Sequence, residues 1–481
     1  MRKFILPAVL SLSLLIGFFS LTRGHEWGDD FASYVMQAAS ILNGTTDAFV
    51  ERNSFTIFES STQIGPVAYP WGFPLILTPL YALKGVHPLT LKLAGLLFFA
   101  GFSICLYIIM KERLDPTESM LMVSLFAFNP LMIRYLDQIL SDIPFLFFST
   151  LALWLMTRAK TMQLPDFIIL GCVIAAAFFI RTSGVLLLAS YLLLQALTLM
   201  QNTSEPEKMR TIVRNGLTVT VTFGVLWLVY SLLFPGGEES YFAQYQDFQL
   251  QTALRFAYQY VMVFREFFGN TILWKIIYFL LLAFFFTGIW IKRRQDLLFI
   301  SFFVLWMLSL ITWPSWQGPR FVFPLLPLFF YFTFQGMKYA LGRLPGLNAK
   351  MGNQAFTGLW LLVIGVFLFQ SASGAYANLQ NQRSINGPFD PVSRQVYDYI
   401  QQETPADSVI VFFKPRAMRL MTGHDSLMSM GCERILKGDY LVLSRKVGEN
   451  NQIPPEQIDS CNLPLNEVLR NNRFLVYEIQ K

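Results

Sequence analysis

Two carboxylates stand side by side in His25-Glu26-Trp27-Gly28-Asp29-Asp30, directly after an apolar run, and Tyr34 follows four residues beyond Asp30. Anionic lipid repels an acidic pair at a bilayer surface, so its presence there calls for a reason. One reading is structural: Asp29 or Asp30 opens the helix that apolar spacing predicts over 31–42, capping it and meeting its dipole. The other is chemical: a carboxylate held just above the bilayer serves as a general base.

A second acidic stretch, Arg134-Tyr135-Leu136-Asp137-Gln138-Ile139-Leu140-Ser141-Asp142-Ile143-Pro144, lies in a short turn between apolar runs. Ionisable residues at span ends are functional candidates by default. The plainer alternative is solvation for Asp137 and helix capping for Asp142, since Pro144 suits a first helical turn. Two cations complete the set: Arg181 in Ile180-Arg181-Thr182-Ser183-Gly184, and Arg320 in Trp316-Gln317-Gly318-Pro319-Arg320-Phe321. Arginine at a membrane interface either snorkels or offers its planar fork to a phosphate. The nearby Trp313, Trp316, Tyr69 and Trp71 read as an interfacial aromatic belt with no ligand role. Neither CxxC nor HExxH spacing occurs, so the sequence specifies no metal site.

The elements that must position these residues are membrane helices. The 481-residue chain is 54% hydrophobic and only 14% charged, with a mean hydropathy of +0.45, whereas soluble domains carry about 25% charged residues. Its net charge of +6 is scattered in short clusters between apolar runs, which argues against nucleic-acid binding and for membrane orientation. About eleven spans are expected, at roughly 4–22, 88–110, 118–136, 143–158, 166–181, 184–200, 216–234, 272–291, 297–313, 321–337 and 354–371. The first resembles a secretory signal but is too long for one and lacks a cleavage site, so it reads as an uncleaved span. Basic clusters near 111–113, 158–160, 208–214, 292–294 and 338–350 mark the cytoplasmic loops and place the N-terminus inside.

That orientation leaves three segments outside. The first loop, 23–87, contains the 31–42 helix, expected to lie on the membrane surface, and the Pro-rich stretch 69–83, expected to dip into the interface or cap a cavity. A second loop runs from Pro235 to about Thr271. From about 371 onward the chain turns polar and reads as a small α/β domain, with a helix at 391–402 and strands at 408–413, 439–444 and 474–479. Cys105 and Cys172 fall in apolar segments and read as core residues. Cys432 and Cys461, in the outward tail, are expected to form a disulfide.

The acidic pair with Tyr34, YPWGFPLILTPLYAL, SDIPFLFF, RTSG and GPRFVFPLLPLFF, in this order, resemble the GT-C glycosyltransferases. The likeness is to bacterial glycosyltransferase family 39, relatives of the protein O-mannosyltransferases and aminoarabinose transferases, and it covers about 1–370 plus an outward tail. It implies a GT-C-like polytopic α-helical membrane domain over 1–370 and an extracytoplasmic α/β domain over 371–481. The implied activity is inverting transfer of a sugar from a polyprenyl-phosphate carrier to a lipid, glycan or protein at the outer face of the plasma (inner) membrane. Asp29, Asp30 and Asp142 match the acidic catalytic positions, and Arg320 matches a basic residue near the donor phosphate. Tyr34, Asp137 and Arg181 join them as candidate substrate-binding residues. The Asp-Asp pair replaces the commoner Asp-Glu, which leaves open which carboxylate is the base. The WWD signature of oligosaccharyltransferases is absent. No cofactor is required by this pattern, although it is compatible with a divalent metal ion.

The chemistry agrees. Glycosyl transfer passes through an oxocarbenium-like state; phosphate is already a good leaving group, so a cation can stand in for a general acid. The alternative, a secondary transporter or lipid flippase, predicts charges in mid-span and repeat symmetry; here polar residues concentrate in outer loops and the tail. The orientation has a direct test. A cysteine introduced at Gln295 should stay unlabelled by a membrane-impermeant thiol reagent in intact cells and react once the membrane is opened.

Overall fold

The computed structural model describes residues 2–62, 64–159, 161–236, 249–269, 271–345, 348–381, 383–445 and 451–480. Most of the expected second outer loop, 237–248, lies outside the described residues. The helices in chain order are α1 (Arg2–Ser20), α2 (Asp29–Asn43), α3 (Thr46–Glu59), α4 (Gly72–Lys84), α5 (Pro88–Met110), α6 (Pro116–Ala127), α7 (Pro130–Leu136), α8 (Asp142–Thr157) and α9 (Leu164–Ile180). They continue as α10 (Val185–Gln201), α11 (Pro206–Leu233), α12 (Leu250–Val263), α13 (Ile272–Lys292), α14 (Leu297–Thr312), α15 (Leu326–Leu341) and α16 (Ala349–Asn381).

Each of the eleven expected apolar segments is helical. Among the described residues, five helices are long and apolar enough to cross a membrane, and the α6–α7 pair makes a sixth if it counts as one broken span. Four further apolar helices are shorter, including α8, α9 and α14. Proline chemistry accounts for two departures from straight spans. The expected 118–136 span bends by 52° between α6 and α7, where the Asn129 side chain caps the new helix and Pro130 offers no amide proton. The 321–337 span opens as a 3₁₀ stretch, Pro319–Leu325, before α15 begins. α13 and α15 approach closely through Gly288 and Gly336: a Cβ at either glycine would lie within 2 Å of a carbonyl oxygen, of Phe332 and Phe284 respectively. Small residues drive such packing where lipid removes the hydrophobic drive between helices.

The first loop differs from expectation. The 31–42 segment does form a helix, but it does not lie on the surface: Phe31, Ala32, Tyr34, Val35 and Ala38 of α2 are buried. α4 and the tail cover it, so its apolar face has protein to meet rather than lipid. The Pro-rich stretch is helix α4, with Phe73 and Leu77 buried against α2. The unanticipated α3 supplies the seat for the tail. Ser61 N–H donates to Met428 O at 2.9 Å, Arg434 donates to Glu59 O at 2.7 Å, and buried Arg419 donates to Asn53 Oδ1 at 2.6 Å.

α16 runs past residue 371 to Asn381, and α17 (Pro391–Glu403) and α18 (Pro415–Thr422) follow. They pack on a five-stranded sheet of β1 (Ile410–Phe412), β2 (Ser426–Leu427), β3 (Tyr440–Ser444), β4 (Leu465–Arg470) and β5 (Phe474–Ile479), in the order β2-β1-β3-β5-β4. β1 pairs in parallel with β2 and β3; β5 runs antiparallel to both β3 and β4. The expected strands are present, the first two with ends trimmed and the last at its expected bounds, and β2 and the half-exposed edge strand β4 were not anticipated. Cys432 and Cys461 are joined in a disulfide. It closes a loop with a sequence separation of 29, worth on the order of 3–4 kcal/mol in the chain-entropy account. Cys105 and Cys172 are free, so the denatured, unreduced chain should titrate two thiols, rising to four after reduction.

Candidate functional site

Four elements bring the predicted charges together. α2 carries Asp30 and Tyr34, the start of α8 carries Asp142, Arg181 stands at the C-terminal end of α9, and Arg320 sits in the 3₁₀ stretch before α15. Arg320 is the bridge. Its Nη2 donates to Asp30 Oδ2 at 2.5 Å, and its Nη1 lies 3.8 Å from Asp142 Oδ2. Arg181 donates to the other oxygen of Asp142, and its guanidinium lies 4.2 Å from the Phe321 ring centroid. Tyr34 shares a hydrogen bond of 3.1 Å with Ser141, tying α2 to the turn that starts α8. The Tyr34 ring packs edge-on against Phe73 at 4.9 Å and lies tilted against Tyr69 at 4.8 Å.

The expected capping roles do not occur. Gly28 occupies the N-cap of α2 without a side-chain bond, and the two aspartates sit in the first turn. Asp142 is likewise the first residue of α8, and Ser141 is its N-cap. Asp30 and Asp142 are instead paired with the guanidinium groups of Arg320 and Arg181, whereas Asp29 has no such partner.

The two adjacent aspartates occupy opposite environments. Burial alone would raise Asp30, but Arg320, the hydrogen bond from Tyr69 Oη at 2.6 Å and the charge of Arg416 outweigh it and hold the carboxyl below its usual range. Asp29 is 6% exposed, and there burial wins: its pKa is raised in spite of Lys414, Arg416 and the Ala417 amide. Asp29 Oδ1 is buried without a hydrogen-bond partner. Asp30 retains 23% side-chain exposure and Arg320 27%, so the Asp30–Arg320 contact is the accessible part of the cluster. Among the described residues, no group of three His, Cys, Asp or Glu side chains is arranged to hold a metal ion.

Asp137 stands apart from this cluster. It accepts from Lys92 Nζ at 2.6 Å and from the Thr22 amide at 2.7 Å, both buried, so its oxygens serve the junction of α1, α5 and α7. Next to it, the neutral His25 ring accepts the Ile139 amide proton at 3.0 Å, and burial lowers its pKa to about 3. Tyr69 and Trp71, read as belt aromatics, also have other work. Tyr69 bonds Asp30; Trp71 is 2% exposed, stacked on Phe234 at 5.4 Å and donating to Pro235 O. Composition and spacing gave Tyr69 no ligand role. Lys92 carried no signal either, since a lone lysine in an apolar run reads as a flank.

Known proteins with related features bear on this arrangement. The family model of dolichyl-phosphate-mannose-protein mannosyltransferases matches residues 68–230. No curated protein sequence matches the chain. The fold is similar to that of ArnT from Cupriavidus metallidurans bound to undecaprenyl phosphate, with a TM-score of 0.60, 13% identity, and 98% of this chain and 97% of that one covered. It is also similar to the Archaeoglobus fulgidus oligosaccharyltransferase tethered with an acceptor peptide, with a TM-score of 0.58, 10% identity, and 92% of this chain and 69% of that one covered. The resemblance to GT-C glycosyltransferases read from the sequence motifs is therefore borne out by a family match and by fold.

The Lys92–Asp137 pair yields a stability prediction. Asp137→Ala strands a buried ammonium and should destabilise the chain by about 3–5 kcal/mol, seen as a lowered melting temperature in detergent. Replacing both residues by apolar ones of similar volume should recover most of it.

Proposed function

We propose that the chain is a multi-pass membrane glycosyltransferase that moves a sugar, with inversion, from a polyprenyl-phosphate carrier to a lipid, glycan or protein acceptor. Residues 1–370, with about eleven spans, form the catalytic domain, and 371–481 lie on the extracytoplasmic side. The observation that supports this most is the accessible Asp30–Arg320 pair, with Asp142 and Arg181 behind it, where the first loop and tail cover the helical bundle. ArnT, whose fold is similar, is bound to undecaprenyl phosphate.

In this reading Asp30, rather than Asp29, is the base. A base must reach the acceptor hydroxyl, and Asp29 is closed in beneath the tail. With no donor present, Arg320 neutralises Asp30. A donor phosphate draws the guanidinium to itself, which unmasks the carboxylate and raises its basicity. The acceptor oxygen then attacks the anomeric carbon as Asp30 takes its proton. The carbon–oxygen bond to phosphate breaks, and the departing phosphate keeps the electron pair and is stabilised by Arg320. Arg181 and Asp142 hold Arg320 in place, and Tyr34 shapes the acceptor side.

Assaying purified protein against a panel of polyprenyl-phosphate sugars identifies the donor. With it, Asp30→Asn should lower turnover by about a hundredfold or more, the usual worth of a positioned base, without weakening donor binding, since Arg320 no longer has to leave a carboxylate. Arg320→Ala should instead weaken donor binding by roughly 1.5–3 kcal/mol, the value of a charged hydrogen bond. Near-normal transfer by Asp30→Asn in correctly inserted protein would refute the mechanism.

A further inference from the structure

Arg416, in the first turn of α18, is among the largest fully buried side chains in the chain, with no measurable exposure. A guanidinium is rarely buried without a full set of acceptors. Here only Nη2 is satisfied, donating to Pro66 O, while Nε and Nη1 have no hydrogen-bond partner. Its planar group lies over the Tyr69 ring, 5.4 Å from the centroid. The same Tyr69 donates its hydroxyl proton to Asp30 at 2.6 Å. Gly65 makes room for this contact. Its φ of +142° is a conformation that other residues rarely adopt, and a Cβ there would lie 2.9 Å from Tyr69 Oη and 3.1 Å from Arg416 Nη1. The neighbouring Ala417 amide donates to Asp29. One turn of the tail thus touches both members of the acidic pair, one through the backbone and one through Tyr69.

We infer that Arg416 is a positioning residue of the transfer site, supplied by the soluble tail: it holds Tyr69 against Asp30 and provides the buried cation on the tail side of the acidic pair. This rests on the proposed function and extends it, because the tail then completes the site rather than merely covering it. The groups that face the pair are Arg320 before α15, Asp142 of α8, Arg181 at the end of α9, Tyr34 of α2, Tyr69, His25, Tyr397 of α17, and Lys414 and Arg416 of the tail. Arg416 lowers the pKa of both aspartates, so losing it raises them. A carboxylate base works only when ionised, so the acid limb of the rate profile must then move to higher pH.

The test is the pH dependence of transfer by the full-length protein in detergent, using the polyprenyl-phosphate sugar that the unmodified chain accepts. Arg416→Gln should move the acid limb up by roughly one unit, the effect of removing one nearby opposite charge. Arg416→Lys, which keeps the charge, should restore most of the shift. Should Arg416→Gln not fold, Tyr69→Phe keeps the ring beneath the guanidinium but removes the hydroxyl from Asp30, and should shift the limb in the same direction. A residue that only stabilised the tail would lower the melting temperature and the active fraction without moving the limb. An unmoved acid limb in folded Arg416→Gln or Tyr69→Phe, with Asp30→Asn still inactive, overturns the inference and leaves the proposed function standing. Retained transfer by Asp30→Asn strikes the proposed function itself.

Discussion

The contact on which this site depends is the reach of one guanidinium, Arg320, between two carboxylates that are more than a hundred residues apart in sequence, Asp30 and Asp142. Burial alone would push Asp30 toward its protonated form, and Arg320 prevents this; Arg181 pairs with Asp142. Four segments therefore keep their relative positions because four charges need one another. The arrangement is also economical chemically. A buried ion pair contributes little net stability, but it stores a carboxylate in ionised form next to a cation that an incoming phosphate can take over.

The adjacent aspartates illustrate how much environment matters at fixed chemistry. Asp29 and Asp30 share a helix turn and a residue type, yet burial under the tail raises one and a guanidinium with a phenol lowers the other. Pairs of titratable groups pushed in opposite directions mark sites where acid and base roles divide. The split comes from what packs on either side of α2: charged partners from the helical bundle reach Asp30, whereas α18 of the tail closes over Asp29.

Other buried charges in the bundle are tied up in the same way without belonging to the site. Lys92 and Asp137 lock the junction of α1, α5 and α7, Asp296 accepts from Arg113 and from Tyr331, and Glu118 pairs with Lys338. Lys338 is more exposed than Arg320, 40% against 27%, so neither burial nor the exposure of one partner singles out a site; what distinguishes Arg320 is that it joins Asp30 of the first loop to Asp142 at the start of α8, beside Arg181.

The sequence by itself determined the class of the molecule. Apolar run lengths and basic loop clusters were legible because they depend on composition, and Asp29-Asp30, Asp142, Arg181 and Arg320 stood out as candidates because charges are few in so apolar a chain. Helix α17 and three tail strands were legible from composition and local spacing, and the cysteine pairing because only two cysteines lie in the polar tail. The tertiary structure decided what spacing cannot express. It set aside Asp137 with Lys92, bent the 118–136 span at Asn129-Pro130, and buried α2 where a surface helix was expected. It also brought Arg416 from 350 residues away to Pro66. The physical reason is common to all of these: periodicity shows that a face must be covered and a charge must be paired, but only the packed chain specifies by what.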